Sequence, residues 1–551
     1  MRSGAVVDCG CLLTDLQRPG RRGVLGVTGA RVVGAIGARP TSLGELSDPT
    51  SRLARSGRTG STNWGGMVAA DLDEERLAVF AEAAKSSAIS ILLGAGASVP
   101  AGFPDWEELV VRLLVKSGVV GNEEAARGFV RTQDPMLAAE AARCDDVEWR
   151  SLVRRSLYGD GEGEAPLADP TDLHFAAASL AMRYLPSQLS LFTTNFDLLL
   201  EGALYASLDE ADREWTVEPR ARAALPKTDQ AYLVHHLHGL VGDHEDDWES
   251  PILTLNDFSK LAGKSTAWQS AELYSAMQKG PLILAGTSFR DVDIRQWLHG
   301  IVADELAPMV IAAMAREGLQ LSTSELEDVR VAIDNQWRAI GVTPVMFDDF
   351  GEIAQAIKEL PYLDRPDYVT PSDRVRALRK QVLAAFDTHQ TAHSEYLNAG
   401  REKLRDALGR DANLTLWLAD GSGGLVRWAS PDRRYKSAGD LRRITAAYDS
   451  PWVASLALTY NAMIAKDPDD IASTGRWRSV VAAPVSVQVG TAPSVAMAVL
   501  SSAVGVPLDE TNPDLWVEVL QELSNEWSTM LTELVNEPSR AGTSKDVDSG
   551  V

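Results

Sequence analysis

The sequence predicts an α/β protein: a largely parallel sheet covered by helices, followed by a smaller α+β domain. From residue 67 to about 365, short apolar runs alternate with helical stretches, as in parallel sheets with crossover helices. After residue 411, apolar segments flank glycine-rich turns, which is typical of antiparallel hairpins. A chain of 551 residues is also too long for a single core.

Five apolar runs are predicted to be strands of the first domain: Ile89–Leu93, Leu189–Thr193, Tyr232–Leu237, Leu282–Ala285 and Thr343–Phe347. A helix is predicted over Trp106–Lys116, because Leu109, Leu113 and Leu114 recur on one face. Asp105 directly precedes this helix and is suited to cap it.

The second domain is predicted to begin with one long helix over 372–409, inside a connecting segment 366–410. The stretch LTLWLADGSGGLVRWAS then predicts one hairpin, and the uncharged run 479–508 predicts another that is well buried. A final helix carries Leu515, Leu523 and Trp527, which places this domain at 411–538 and a flexible tail at 539–551.

Residues 1–66 differ in composition from the rest of the chain. They contain nine arginines, four acidic residues, thirteen glycines and no lysine, without an amphipathic period. We interpret them as a disordered tail or a mis-called start with Met67 as the initiator. The alternative is a functional arm.

Charge and cysteine content exclude several classes of protein. The net charge of −24 argues against a nucleic-acid-binding surface over most of the chain. Three cysteines are too few for a four-cysteine zinc site or a disulfide framework, and no other metal site is expected. Few cysteines fit a reducing cytoplasm, and no apolar run is long enough to span a membrane.

Polar and glycine-rich clusters directly follow four of the predicted strands. They are GAGAS at 94–98, TTNFD at 193–197, HG at 238–239 and GTS at 286–288. Because ligands bind beyond the carboxyl ends of the strands in open parallel sheets, the four clusters predict one shared site.

The glycine-rich clusters allow two interpretations. Glycines between a strand and a helix let backbone N–H groups face a pyrophosphate, with the hydroxyl of Ser98 as a further donor. The alternative is a tight turn with close helix packing. In the second cluster, Ser288 or the backbone is a candidate for ribose or phosphate, whereas Asp291 and Asp293 are expected to be helix caps.

The remaining clusters carry candidates for polar chemistry. Asn195 is suited to bind a ribose hydroxyl, a carboxamide or a water, and Asp197 to accept from an amide or stabilise a cation; the alternative is an Asx turn. His238 is the histidine best placed as a general base. In a strand His236 would share its face, but His235 and His236 are expected to pack and form hydrogen bonds.

These motifs, in this order, resemble the sirtuin superfamily. The match includes the Gly-x-Pro-Asp-aromatic stretch that ends at Trp106 and covers about residues 85–360. The resemblance implies a Rossmann-like domain that binds NAD. It assigns Asn195, Asp197 and His238 to catalysis, with His238 as general base. The residues implied to bind NAD are Gly94, Ala95, Gly96, Ser98, Pro104, Asp105, Thr194, Gly286, Thr287 and Ser288.

Two departures from sirtuin deacylases change the expected reaction. Glu107 follows the aromatic residue where deacylases have an arginine, and the four zinc-binding cysteines of the peptide-clamping module are absent. Water is then the expected acceptor. The pattern is similar to bacterial sirtuin-like NAD hydrolases of phage-defence systems, which implies release of nicotinamide and ADP-ribose. A non-catalytic NAD sensor and an NAD-dependent deacylase or ADP-ribosyltransferase are the alternatives.

Because constant NAD cleavage is toxic, the second domain is expected to keep the enzyme silent. Its pattern of entry helix, hairpins and exit helix, with the stretch RWRSVVAAPVSV, resembles a GAF-type sensor. The alternative is a dimerisation domain without a ligand. We expect a homo-oligomer in either case, with a phage-derived or small-molecule trigger as a possible partner.

Overall fold

The structure is a computed structural model. It describes residues 68–159, 169–223, 230–242, 248–249, 251–261, 267–287, 292–302, 309–467 and 477–537. The predictions for residues 1–66, for Ser288 and for the tail 539–551 therefore lie outside the described residues.

Among the described residues, the strands of the first part of the chain are β1 (Ile89–Leu93), β2 (Leu189–Thr193), β3 (Thr216–Arg220), β4 (Ala231–His236), β5 (Leu240–Val241), β6 (Trp248–Glu249), β7 (Leu282–Ala285), β8 (Val310–Ala315) and β9 (Thr343–Phe347). Seven of them form one sheet in the order β3-β4-β2-β1-β7-β8-β9, with every pair parallel. The predicted parallel α/β sheet is confirmed. Strands β5 and β6 form a separate antiparallel pair.

Two strands of this sheet escaped prediction for different reasons. Strand β3 is an edge strand whose sequence, TVEPR, contains a proline and two charges. Strand β8 reads VIAAMA, and its alanines carry no strand preference. It is fully buried, so tertiary packing decides its conformation.

The α-helices that the structure describes in this part are α1 (Glu74–Ala84), α2 (Trp106–Lys116), α3 (Glu123–Val130), α4 (Pro135–Ala141), α5 (Asp146–Tyr158), α6 (Asp172–Ser179), α7 (Leu199–Glu210), α8 (Leu255–Leu261), α9 (Trp268–Lys279), α10 (Val292–Val302), α11 (Arg316–Leu319), α12 (Thr323–Arg338) and α13 (Phe350–Glu359). Within the described residues, no helix is long and apolar enough to cross a membrane.

Both faces of the sheet are covered, because side chains alternate along each strand. Ile91 and Leu93 of β1 pack in the core formed with α1, α6, α7 and α13. Leu92 points to the opposite face and packs with α9, α10 and Trp337 of α12. This alternation explains why the central strands are apolar throughout.

Helices α2 to α5 form a third apolar cluster, into which Phe196 and Val241 also pack. Helix α2 has the predicted bounds, and Leu109, Leu113 and Leu114 are buried as expected. Asp105 caps it as predicted, since its carboxylate accepts the N–H of Glu108 at 2.8 Å.

The second part of the chain contains a six-stranded antiparallel sheet in the order β12-β11-β10-β15-β14-β13. Its strands are β10 (Thr415–Ala419), β11 (Gly424–Ala429), β12 (Arg443–Thr445), β13 (Ile464–Lys466), β14 (Ser479–Val487) and β15 (Val495–Val504). Its helices are α14 (Pro371–Ala384), α15 (Phe386–Leu408), α16 (Val453–Thr459) and α17 (Pro513–Asn536). Both predicted hairpins and the final helix are confirmed.

The single helix expected over 372–409 is wrong, because the chain breaks between α14 and α15. Ala385 leaves the helical region with φ −129° and ψ 55°. The ring of His389, one turn into α15, lies 3.1 Å from the carbonyl oxygen of Val382 near the end of α14. The His389 side chain thereby contacts the Val382 carbonyl, which would accept a backbone N–H in a continuous helix.

The start of the described chain packs into the second part of the molecule. Val68 and Ala70 belong to the apolar core of the six-stranded sheet. The carboxylate of Asp71 accepts the N–H of Gly423 at 3.0 Å, in the turn between β10 and β11. The buried guanidinium of Arg374 pairs with Glu359 at the end of α13. The boundary near residue 365 is thus crossed at several points.

Candidate functional site

The four strands that carry the motifs are neighbours in the sheet, in the order β4-β2-β1-β7. From β1 the chain builds outward on one side through β2 to β4 and β3, and then returns to the other side of β1 as β7. This is a topological switch point, where open α/β sheets form a crevice beyond the strand ends. The described residues of the four clusters thus follow neighbouring parallel strands at one edge of the sheet, and their joint role as one ligand site stays a prediction.

The two glycine-rich turns pack directly against each other. The N–H of Gly94 donates to Ala285 at 3.0 Å, and the N–H of Gly96 donates to Gly286 at 2.8 Å. A Cβ on Gly94 would lie 2.6 Å from the Cα of Thr287, and Gly286 itself has φ +65°. Close packing of one backbone turn against the other therefore requires these glycines, and binding of a pyrophosphate by this turn stays a prediction.

Asn195 follows strand β2, and its amide is held in one orientation. Its Nδ2 donates to the carbonyl of Gly94 at 3.1 Å and to the Oγ of Ser98 at 2.7 Å. Its Oδ1 is buried and has no hydrogen-bond partner among the described residues. Because a buried acceptor without a partner is costly, this oxygen is suited to receive a hydrogen bond from a bound molecule.

Ser98 joins Asn195 to Asp197 and to a histidine that the sequence analysis did not single out. Its Oγ also lies 3.5 Å from the Nε2 of His174, in the first turn of α6. Burial raises the pKa of the Asp197 carboxyl, and a hydrogen bond from Ser98 partly offsets that rise. Asp197 also accepts the N–H of Leu199 at 3.1 Å, the Asx turn considered for this motif.

His236 is a buried structural histidine and does not share a strand face with His238. Strand β4 ends at His236, so Leu237 and His238 lie in the following turn and the expected shared face is wrong. The ring contacts the Glu201 carboxylate at 2.7 Å and the Asn195 carbonyl at 3.0 Å. Burial opposes a charge here, but these two acceptors outweigh it and raise the pKa of His236.

His238, the predicted base, lies in the turn that leads from β4 to β5. Its ring packs edge-on against Phe258, with centroids 5.6 Å apart, and at 6.5 Å from Trp297. Its carbonyl accepts the N–H of Ile252 at 2.8 Å, and Gly239 after it has φ +90°. The ring of His235 stacks on the ring of Phe192, with centroids 5.1 Å apart.

The other predicted ligand residues occupy different environments. Thr287 has a buried Oγ1 with no hydrogen-bond partner among the described residues, as Asn195 has for Oδ1. Thr194 is half-buried and donates its N–H to Leu93 at 3.0 Å. Ala95 and Pro104 are half-buried, whereas Asp105 is exposed and serves as the helix cap.

Sequence reasoning missed His174 and Glu201. Thr171 and His174 have the spacing of a capping box, with histidine in place of the usual glutamate, and this was the available signal. Glu201 lies four residues after Asp197 in a helix, where a carboxylate is ordinarily exposed, and nothing local indicates that it pairs with His236.

Comparisons with known proteins agree with this geometry. Residues 189–345 match the family model described as a SIR2-like domain. The NAD(+) hydrolase ThsA of Enterococcus faecium is 23% identical over 310 residues, which make up 53% of this chain and 59% of that protein. The chain thus matches well under two thirds of the length of this curated relative.

Two solved structures each cover about half of the chain. Sir2Tm bound to a propionylated peptide is 13% identical, with 52% of this chain and 98% of that chain covered and a TM-score of 0.26. Sir2 in complex with an inhibitor, 2'-O-acetyl-ADP-ribose and a deacetylated peptide is 15% identical, with the same coverage and a TM-score of 0.25. From the family model and the motifs at the strand ends, we conclude that residues 189–345 of this chain are similar to a SIR2-like domain.

Proposed function

We propose that the protein is an NAD+ hydrolase that cleaves the bond between nicotinamide and ribose, releasing nicotinamide and ADP-ribose. The observation that carries this proposal is the fixed amide of Asn195, whose Oδ1 is buried and lacks a partner among the described residues. The 23% identical relative is named an NAD(+) hydrolase, which supports the same reaction here.

NAD+ fits the residues of the crevice as a substrate. Thr287 and Asn195 each present a buried oxygen suited to a hydroxyl or an amide of the ligand. The pyrophosphate is assigned to the turn at 94–98 by the resemblance to sirtuins alone, because the N–H groups of this turn other than that of Ala95 donate to backbone carbonyls. Ser288 completes the predicted set outside the described residues.

The reaction is a displacement at the anomeric carbon of the nicotinamide ribose. The C–N bond breaks with its electron pair passing to the nicotinamide nitrogen, and a water oxygen forms the new bond. Asn195 Oδ1 accepts a hydrogen bond from this water or from a ribose hydroxyl and so orients it. His238 takes the proton released, since an imidazole is suited to that transfer near neutral pH.

Asp197 is assigned an electrostatic role near the nicotinamide end of the crevice. The transition state for glycosidic cleavage develops positive charge on the ribose, and a nearby carboxylate in a buried site stabilises that charge. Burial raises the pKa of Asp197, while its hydrogen bonds from Ser98 and Leu199 favour the charged form.

Release of nicotinamide from NAD+ by the full-length protein tests the proposal. We expect release without any added peptide, and a loss of at least about 100-fold in Asn195→Ala and in His238→Ala, because each removes a positioned catalytic group. His235→Ala is the matched control and should retain activity, since His235 stacks on Phe192.

The other outcomes separate the alternatives. Release that requires an acyl-lysine peptide would identify a deacylase. Binding of NAD+ by calorimetry without any release would identify a sensor. Release that persists in both active-site variants would contradict the assigned residues.

We further propose that the second part of the chain, including the GAF-like segment 411–538, regulates this site. The side chain of Asn461 donates to Asp172 at 2.8 Å, and Asp172 begins the helix that brings His174 to Ser98. We also propose a cytoplasmic homo-oligomer that depletes NAD+ during phage infection. The defence role is supported only by the resemblance to bacterial sirtuin-like NAD hydrolases.

A further inference from the structure

We propose that His174 is a positioning residue, which donates a hydrogen bond from Nε2 to Ser98 and thereby holds Asn195 in its reactive orientation. This inference rests on the proposed NAD+ hydrolysis. It assigns a role to a buried histidine outside the four motif clusters, on a helix that follows none of their strands.

Two groups of Thr171 lie at Nδ1 of His174: the backbone N–H and, at 2.9 Å, the hydroxyl oxygen. The backbone N–H determines the position of the ring proton. The backbone N–H of Thr171 lies 3.1 Å from Nδ1 and can only donate, so Nδ1 is the acceptor. In a neutral imidazole the proton then sits on Nε2. Burial lowers the pKa of His174 to about 3, so the ring is neutral at cellular pH.

The hydroxyl of Ser98 is consequently surrounded by groups of defined polarity. Asn195 Nδ2 at 2.7 Å and His174 Nε2 at 3.5 Å both donate to its oxygen. Its own proton is then directed to the carboxylate of Asp197, with which it forms a hydrogen bond. A hydroxyl with two donors and one acceptor around it has a single favourable orientation.

This arrangement determines which end of the Asn195 amide faces the crevice. As long as Ser98 Oγ is an acceptor, Nδ2 turns toward it and Oδ1 turns away. If Ser98 rotated, Nδ2 would keep only its hydrogen bond to the carbonyl of Gly94, and the amide would be held less firmly. His174 therefore acts on the reacting groups through Ser98 without touching them.

The position of the His174 imidazole is fixed by contacts between the start of α6 and the GAGAS turn. Thr171 precedes the helix, and its hydroxyl donates to the carbonyl of Ala97 at 2.7 Å, next to Ser98. His174 is buried between α6 and the GAGAS turn. The hydrogen bond from Thr171 to Ala97 thus connects the start of α6, which carries His174, to the turn that carries Ser98.

The test compares His174→Leu with His174→Gln in the full-length protein. Glutamine can accept from the Thr171 N–H through Oε1 and donate to Ser98 through Nε2, whereas leucine can do neither. We expect His174→Leu to lower kcat for nicotinamide release about 10- to 100-fold with KM within about threefold of wild type. His174→Gln should restore kcat to within about threefold.

Three results would overturn the proposal: wild-type kcat in His174→Leu, an equal loss of kcat in both variants, or a loss confined to KM. Crystal structures of the wild type and His174→Leu supply a readout that does not depend on activity. We expect Ser98 Oγ to rotate and the Asn195 amide to shift in His174→Leu, with its hydrogen bond to Gly94 kept, and unchanged positions would also overturn the proposal. A wild type that releases no nicotinamide would instead contradict the proposed hydrolysis.

Discussion

The close contact between the two glycine-rich turns explains why residues 94 and 96 cannot carry a side chain. A Cβ on Gly94 would meet the Cα of Thr287 at 2.6 Å and the carbonyl oxygen of Gly286 at 2.7 Å. Both obstacles are backbone atoms of a neighbouring strand end, so neither can rotate away. The turn can accommodate a methyl group only if the two strand ends separate.

We expect Gly94→Ala to lower the free energy of unfolding by about 1–3 kcal/mol, because overpacking at this contact displaces backbone. Nicotinamide release should fall with it. Chemical denaturation measures the stability change. Gly128→Ala in α3 is the matched control: a Cβ there would meet no neighbouring atom within 4 Å among the described residues, and alanine should stabilise a helix by up to about 1 kcal/mol. Equal stability of Gly94→Ala and wild type would contradict the contact.

At the scale of residues, the sequence predicted which residues follow the strands, but it did not predict the hydrogen bonds that these residues form. Glycines and polar residues directly after an apolar run indicate the end of a strand, so GAGAS and TTNFD could be recognised from the sequence. Their hydrogen bonds depend on residues far along the chain: His174 meets Ser98 across 76 positions, and His236 meets Glu201 across 35. No local pattern carries that information.

Helix α16 and the turn after it form one of the contacts between the second sheet and the first part of the chain. Thr459, at the end of α16, lies with its carbonyl against Gly351 of α13. Asn461 has φ 46° and donates to Asp172 at 2.8 Å. A hydrogen bond from Tyr460 opposes the rise that burial causes in the pKa of Glu317. Three successive residues thus contact the domain that holds the candidate site.

We expect Asn461→Asp to lower kcat for nicotinamide release about 3- to 10-fold, because two carboxylates would face each other at the start of α6, two residues before His174. Steady-state kinetics of the full-length protein measure this. Asn461→Gly keeps the left-handed backbone and removes only the side chain, so its loss should be smaller. Unchanged kinetics in Asn461→Asp would contradict the coupling, and a higher kcat would mean that this contact restrains the enzyme.

At the scale of elements, a helix or strand was predicted correctly where its own sequence carries a strong apolar pattern. Strand β1 and helix α2 have strong apolar patterns and were predicted at their observed bounds. The break at Ala385 involves neither proline nor glycine, so no sequence signal marks it. It is set by packing of α14 and α15 around the second sheet.

Asp71 is a buried carboxyl at the junction of the two parts of the molecule. Burial raises its pKa from 3.8 to about 6, although the N–H groups of Gly423 and Val68 favour the charged form. Asp420 opposes the charge and Arg76 favours it. A carboxyl with a raised pKa stabilises the fold most when it is protonated. Its contribution is therefore complete below about pH 3.8 and is lost as the pH rises through about 6.

Between pH 4 and pH 6, we expect the free energy of unfolding of wild type to fall by roughly 2–3 kcal/mol more than that of Asp71→Asn. The reason is that folding raises the pKa of Asp71 from 3.8 to about 6. Urea unfolding at several pH values measures the difference. Asp406→Asn, an exposed position of α15, should leave the profile unchanged. A steeper profile in Asp71→Asn would contradict the direction of the shift.

The placement of Val68 and Ala70 in the core of the second sheet has a mechanical consequence. The last described helix, α17, packs in that same core, so both ends of the described chain are anchored in one place. A force applied across the two ends would load this core first, while the seven-stranded sheet lies outside the direct path of tension. The second sheet would therefore yield before the strands that carry the site.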